Sequence, residues 1–220
     1  MTACVVLLGG SFDPVHNGHV ALAALFAHLL QPDQLRIVPA GAPWQKNGLR
    51  ASADDRVAMI ERAFAQAALP PAVLVTVDRQ EIERASPTYT VDTLRQVRAE
   101  LGAQTSIVFL MGADQLQHLD SWREWRSLFE LAHIGVAARP GYAIDQAALP
   151  AAVAQEIRLR QGDLAQLRNT PSGLAYLAQS LDVDISATQI RAALQRGENA
   201  NSFISPVVLD YIQQHNLYKS

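Results

Sequence analysis

Cys4-Val5-Val6-Leu7-Leu8-Gly9-Gly10-Ser11-Phe12-Asp13-Pro14-Val15-His16-Asn17-Gly18-His19 is an apolar run that meets a glycine pair and passes into a helical pattern. It reads as a strand, a turn and a helix N-terminus. Gly9 and Gly10 carry no Cβ, so backbone can approach a ligand closely there, and the first N–H groups of a helix have no partner within it. Such a helix start attracts anions, phosphate above all. His16 and His19 lie three apart, which lets both imidazoles face one side of the first turn and one ligand. Histidine donates hydrogen bonds at neutral pH and can carry charge.

Working outward, the helix runs from about Gly18 to Leu30, with Leu22, Leu25, Phe26 and Leu29 at helical spacing, and stops before Pro32. Leu35 to Val38 reads as a second strand, and Pro39 to Ser52 as a loop. Lys46 in that loop is one of only two lysines, the other being Lys219, and a flexible ammonium there suits a phosphate that enters and leaves. Ser52 is placed to cap a helix whose buried face carries Val57, Ile60 and Phe64. Val73 to Val77 is a third strand. Thr88 or Thr90 can cap the next helix, with a core stripe of Val91, Leu94, Val97 and Leu101, and the helix start around Tyr89 and Thr90 is a second candidate anion site.

Ser106 to Met111 is nearly all apolar, as expected of a parallel strand buried on both faces. Ligands of open α/β sheets bind beyond the carboxyl ends of the strands, so Asp114 is expected in the same crevice as the Gly9 turn. Leu116, Leu119, Trp122, Trp125 and Leu128 read as a helical stripe. His133 to Ala138 is the fifth strand, closed by Arg139-Pro140-Gly141, and Leu174 to Leu177 is a short last one. Ser186 and Gln189 form a capping box, and Arg191 can reach an anion held at that helix start. A last helix runs from Pro206 to about His215.

The chain of 220 residues is 49% hydrophobic and 18% charged, enough for one well-buried α/β domain spanning 1–220, with about 180–220 as a small C-terminal helical part. A net charge of -3 gives no global basic field for nucleic acid. The single cysteine, Cys4, excludes an intrachain disulfide and a cysteine-based zinc site. No basic segment precedes the first apolar run, and Ala21 to Leu30 is too short to span a bilayer, so the expected compartment is the cytoplasm, with no membrane partner. The order of elements predicts a doubly wound, Rossmann-like parallel sheet.

Residues 9 to 19 resemble, without a departure, the Gly-Gly-Ser-Phe-Asp-Pro-x-His-x-Gly-His signature of the His-x-Gly-His nucleotidyltransferases. Thr88-Tyr89-Thr90-Val91-Asp92-Thr93 resembles the Ser-Tyr-Thr-x-Asp-Thr motif of the nicotinate mononucleotide adenylyltransferases in that superfamily, with Thr88 where serine is commoner. Gly112-Ala113-Asp114, Trp122, Arg139-Pro140-Gly141 and Ile185-Ser186-Ala187-Thr188-Gln189-Ile190-Arg191 match further family patterns. Where many members carry a histidine before the loop lysine, this sequence has Gln45. The resemblance implies adenylyl transfer from ATP to nicotinate mononucleotide, with a magnesium ion held mainly by ATP phosphates and water. It implies ATP contacts at Gly9, Gly10, Ser11, Phe12, His16, His19, Ser186, Thr188 and Arg191, and mononucleotide contacts at Lys46, Tyr89, Thr90, Asp114, Trp122 and Arg139. His16, His19, Lys46 and Arg191 are the expected catalytic groups, and Trp122 the wall of the pyridine pocket. A sister enzyme acting on phosphopantetheine or making a cytidylyl product would share residues 9 to 19 but not both pocket segments, and a silent nucleotide-binding regulator would not need the histidine pair and Lys46.

Overall fold

The computed structural model describes residues 2–42, 48–84, 86–137, 149–178 and 185–219. Six strands form one parallel sheet: β1 (Cys4–Gly10), β2 (Gln34–Pro39), β3 (Leu74–Val77), β4 (Ser106–Gly112), β5 (His133–Ala137) and β6 (Ala175–Ala178). Their order across the sheet is β3-β2-β1-β4-β5-β6. All five pairings are parallel. The chain therefore reverses its direction of travel across the sheet between β1 and β4, which is the switch point where such sheets bind ligands.

Strand side chains alternate between two faces, and each face is covered by helices. Val6, Leu8, Leu35, Ile37, Val108 and Leu110 pack on one side with Leu22 and Phe26 of α1 (Asn17–Leu30) and Ile60 and Phe64 of α2 (Ala53–Ala65). Ile190 of α9 (Ala187–Gln195) and Val208 and Ile212 of α10 (Pro206–Gln214) join the same cluster. Val5, Leu7, Ile107, Phe109, Ile134 and Val136 pack on the other side, against Val91, Leu94 and Val97 of α4 (Thr90–Leu101) and Val153 and Ile157 of α7 (Ala151–Leu159).

Two expectations change. The spacing of Leu116, Leu119, Trp122, Trp125 and Leu128 does not make one helix: the segment is broken into α5 (Ala113–Leu116), a 3₁₀ turn (Leu119–Ser121) and α6 (Ser127–Leu131). A strict spacing of three matches the 3.0 residues per turn of a 3₁₀ helix and drifts around the 3.6 of an α-helix, so the stripe stays on one side only by tightening and restarting. Neither Thr88 nor Thr90 caps α4; Tyr89 holds the N-cap position, with no side-chain cap bond. Between β5 and β6 the described residues hold two helices, α7 and α8 (Leu164–Asn169). A short helix, α3 (Gln80–Glu83), follows β3. Lys46 and Arg139 lie outside the described residues.

Candidate active site

The carboxyl ends of β1 and β4 lie side by side, with Leu8 opposite Leu110, so the glycine turn and Gly112 open on a common crevice. A cavity of about 380 Å³ fills it. Gly9, Gly10, Ser11, His16, His19, Thr90, Asp114, Trp122, Ser186 and Thr188 all line it, so most of the expected site residues meet although they come from four separate segments. Among the described residues lining the cavity there is no lysine or arginine. Its attraction for anions rests on histidine and on helix N-termini.

His16 is the N-cap of α1, in extended backbone, and is buried. Its backbone N–H donates to His19 Nδ1 at 3.2 Å, and the two rings stack with centroids 3.7 Å apart. A nitrogen that accepts from a backbone N–H presents its lone pair, so the proton of neutral His19 sits on Nε2. His19 is thus held as a hydrogen-bond donor without needing charge. Phe12 is fully buried and does not line the cavity; its ring meets His19 at 4.8 Å, edge to face, and fixes the imidazole from behind. The glycines have an internal reason too: a Cβ at Gly10 would come within 3.1 Å of the Phe12 ring, and one at Gly9 within 3.2 Å of Phe109.

The N-terminus of α9 forms a second wall. Ser186 Oγ accepts from Gln189 N–H at 3.3 Å, while Ser186 N–H donates to Gln189 Oε1 at 3.2 Å, closing the expected capping box. Arg191 does not line the cavity: it donates to the Asp13 carbonyl at 2.6 Å and to Thr188 Oγ1 at 3.3 Å, joining α9 to the glycine turn.

At the other end Trp122 stands edge-on to Phe109, with centroids 6.4 Å apart, and its indole Nε1 is buried with no hydrogen-bond partner among the described residues. Thr90 lines the cavity at the first position of α4, whereas Tyr89 lies outside the lining with its ring under the Arg123 guanidinium, 4.9 Å away. Glu81 is a lining residue that the sequence reading missed. Thr93 Oγ1 donates to its Oε1 at 2.7 Å, Thr88 also bonds it, and burial pushes its carboxyl above the usual carboxylate range. Gly41 passes so close that a Cβ there would lie 1.9 Å from the Glu81 carbonyl. Glu81 follows the end of β3 closely, and the rule that placed Asp114 beyond a strand end applies to it equally.

A parallel sheet of this order, with a cavity at the switch point lined by the N-termini of α1, α4 and α9, defines a nucleotide-binding α/β protein of the nucleotidyltransferase type. The chain belongs to the cytidylyltransferase-like family, whose model matches residues 7–193, and within it to the nicotinate-nucleotide adenylyltransferases. It is 61% identical over 220 residues to a protein of Herminiimonas arsenicoxydans named "Probable nicotinate-nucleotide adenylyltransferase", covering 100% of this chain and 99% of that one. A protein of the same name from Chromobacterium violaceum is 44% identical over 221 residues, with both chains fully covered. Among solved structures, the Plasmodium falciparum nicotinic acid mononucleotide adenylyltransferase complexed with NaAD superposes with a TM-score of 0.74 at 21% identity, covering 98% of this chain and 97% of that one. At that identity the likeness concerns the fold.

Proposed function

We propose that this protein moves the adenylyl group of ATP to nicotinate mononucleotide, giving nicotinate adenine dinucleotide and pyrophosphate. The observation that carries the reading is the cavity itself, which joins the His19 Nε2–H donor and the α1 and α9 N-termini at one end to Trp122 and the start of α4 at the other. One end suits phosphates, the other a flat ring bearing an anionic substituent.

A phosphate monoester with a second pKa near ~6 is already a nucleophile at neutral pH, so no general base is required. Its oxygen bonds to the α-phosphorus of ATP as the bond from that phosphorus to the bridging oxygen of pyrophosphate breaks, and both electrons of that bond leave with pyrophosphate. The chain's contribution is alignment and stabilisation of charge on the phosphoryl oxygens. We assign that stabilisation to His19, to the backbone N–H groups of the glycine turn and to Ser186 and Thr188, with His16 and Arg191 holding the geometry. Lys46 and Arg139 join on the strength of the sequence resemblance. Magnesium fits as an ion that arrives on ATP oxygens and water, where it neutralises phosphate charge: no three His, Cys, Asp or Glu side chains come together among the described residues. We read residues 1–220 as one domain, because Ile190, Val208 and Ile212 share a hydrophobic cluster with Val6 and Leu8. A cytoplasmic location accords with the finding that no helix among the described residues is long and apolar enough to cross a membrane.

The test is pyrophosphate release with ATP or CTP against nicotinate mononucleotide, nicotinamide mononucleotide and phosphopantetheine. Fastest release with ATP and nicotinate mononucleotide is expected. Faster release with CTP, or with phosphopantetheine, would overturn the reading.

A further inference from the structure

Asp13 sits inside the glycine turn at 3% exposure, and a carboxylate so buried requires donors. It has three: Arg50 N–H on Oδ2 at 2.9 Å, Ala51 N–H on Oδ1 at 3.0 Å, and the Tyr218 hydroxyl on Oδ1 at 2.7 Å. The backbone of the turn is held as tightly, with the Ser11 carbonyl accepting from the buried Arg56 guanidinium at 2.9 Å and the Asp13 carbonyl from Arg191 at 2.6 Å.

Asp13 therefore stands at a junction. Three residues on is His16, the cap that orients His19; its other bonds reach Arg50 and Ala51, where the chain comes out of the loop bearing Lys46. Of those three donors, Tyr218 alone gives through its side chain, and it is built to stay a donor. Its ring is buried at 6% exposure, and burial beside Asp13 pushes its ionisation far above the ordinary phenol range, so the proton remains on Tyr218 at any working pH. Its backbone sits at φ 63°, the left-handed region that side-chain-bearing residues avoid, so the surrounding contacts hold it there against local preference.

We propose that Tyr218 is a positioning residue for adenylyl transfer: through Asp13 it holds the histidine turn and the backbone of Arg50 and Ala51 in one fixed relation. The inference rests on the assignment of His19 to the reacting phosphates. Small misplacements of reacting groups reduce turnover steeply while leaving the larger binding contacts in place.

The experiment compares three variants in steady-state kinetics with saturating ATP, magnesium and nicotinate mononucleotide, each corrected for folded fraction by thermal unfolding. Tyr218→Phe keeps the ring and deletes the donor; kcat should fall roughly 5- to 50-fold with KM for both substrates changed less than about 3-fold. Tyr211→Phe is the control, since its hydroxyl donates to Asp55 Oδ1 at 2.9 Å and ties α10 to α2 by the same kind of bond without a bond to Asp13. It should retain full kcat. A wild-type kcat in Tyr218→Phe, or equal losses in the two tyrosine variants, overturns the inference. His19→Ala separates it from the site reading beneath it: if His19→Ala is slow and Tyr218→Phe normal, the positioning role alone fails, whereas a fully active His19→Ala removes the site assignment and the inference with it.

Discussion

The proton on His19 is placed by its neighbour: with Nδ1 accepting from the His16 N–H, the neutral ring carries its proton on Nε2, the atom that the proposed function assigns to a phosphoryl oxygen. Removing one such donor from developing charge costs roughly 10²-fold in turnover, so His19→Ala should lose about that much kcat at saturating ATP and magnesium, with thermal stability nearly unchanged. Normal turnover would take the histidine out of the chemistry. At the far end the proposed function assigns the pyridine ring to Trp122 and the first N–H groups of α4, which line the cavity where a helix start favours an anion. An amide there would set its own N–H₂ against those donors and leave one unpaired, a loss of about 5- to 150-fold in kcat/KM relative to the acid. Trp122→Ala should weaken both substrates, because the aromatic face serves the cationic ring they share. Equal use of acid and amide by the wild type would sink this account. These residues were legible because each belongs to a short local motif. Glu81 was not, since its place in the cavity depends on Thr88 and Thr93 from one stretch of chain and Gly41 from another.

Among the elements, α4 shows how a helix that positions a site is itself anchored. Arg98, in its last turn, spends its donors on main-chain carbonyls: Leu131 at 2.7 and 3.1 Å, Gly102 at 2.9 Å, and Thr105 and Pro171 at 2.7 Å each. One side chain thereby joins the end of α4, the entry to β4, the end of α6 and the turn before β6. Arg98→Met would leave several of these carbonyls unsatisfied and should cost about 2–4 kcal/mol in urea unfolding, while the activity of the folded fraction stays near wild type. A shift under about 0.5 kcal/mol, the range of ordinary surface changes, would show that water replaces the guanidinium freely. From the sequence Arg98 is an ordinary polar position on the outer face of a helix. Strands were easier: the apolar runs of β1 and β4 are long and unbroken, and their ends were placed within a residue or two. The segment from Leu116 to Leu128 misled because its apolar residues do mark one buried side, as the burial of Leu116, Leu119, Trp125 and Leu128 confirms, and only the strictness of the spacing signals that the backbone is not one α-helix.

At the scale of the molecule, the sheet order sets β1 and β4 side by side at its centre, so the glycine turn and Gly112 share one crevice, and that followed from the order of strands and helices in the sequence. The closing contacts did not, because Asp13 and Tyr218 are 205 positions apart and neither advertises the other. The half of the sheet formed by β5 and β6 has a closing contact of its own. His133 at the start of β5 is fully buried; its Nε2 lies 2.7 Å from the Thr170 carbonyl, and its Nδ1 accepts from Leu174 N–H at 3.1 Å, so the neutral ring donates at Nε2 and holds the turn that leads into β6. Burial pushes its pKa below the ordinary value of 6.5, and the nearby charge of Arg98 acts in the same direction. The unfolded chain then binds a proton that the folded chain refuses, so this contribution to stability is complete above pH ~6.5 and is lost as pH falls from there through the lowered folded pKa. Protonation of Nδ1 would also turn the acceptor for Leu174 N–H into a second donor. Glu100 and Glu156 are held below the usual carboxylate range by Arg36 and Arg160, which also makes stability fall with acid, but only below about pH 4.5, where unfolded carboxylates begin to protonate. The two windows separate cleanly. Urea unfolding of wild type and His133→Gln at intervals between pH 7.5 and 5 should show a steeper acid loss in the wild type, because the variant has no proton to take up at this position, whatever its stability at neutral pH. Parallel curves across that window would mean that the buried imidazole does not govern the acid response.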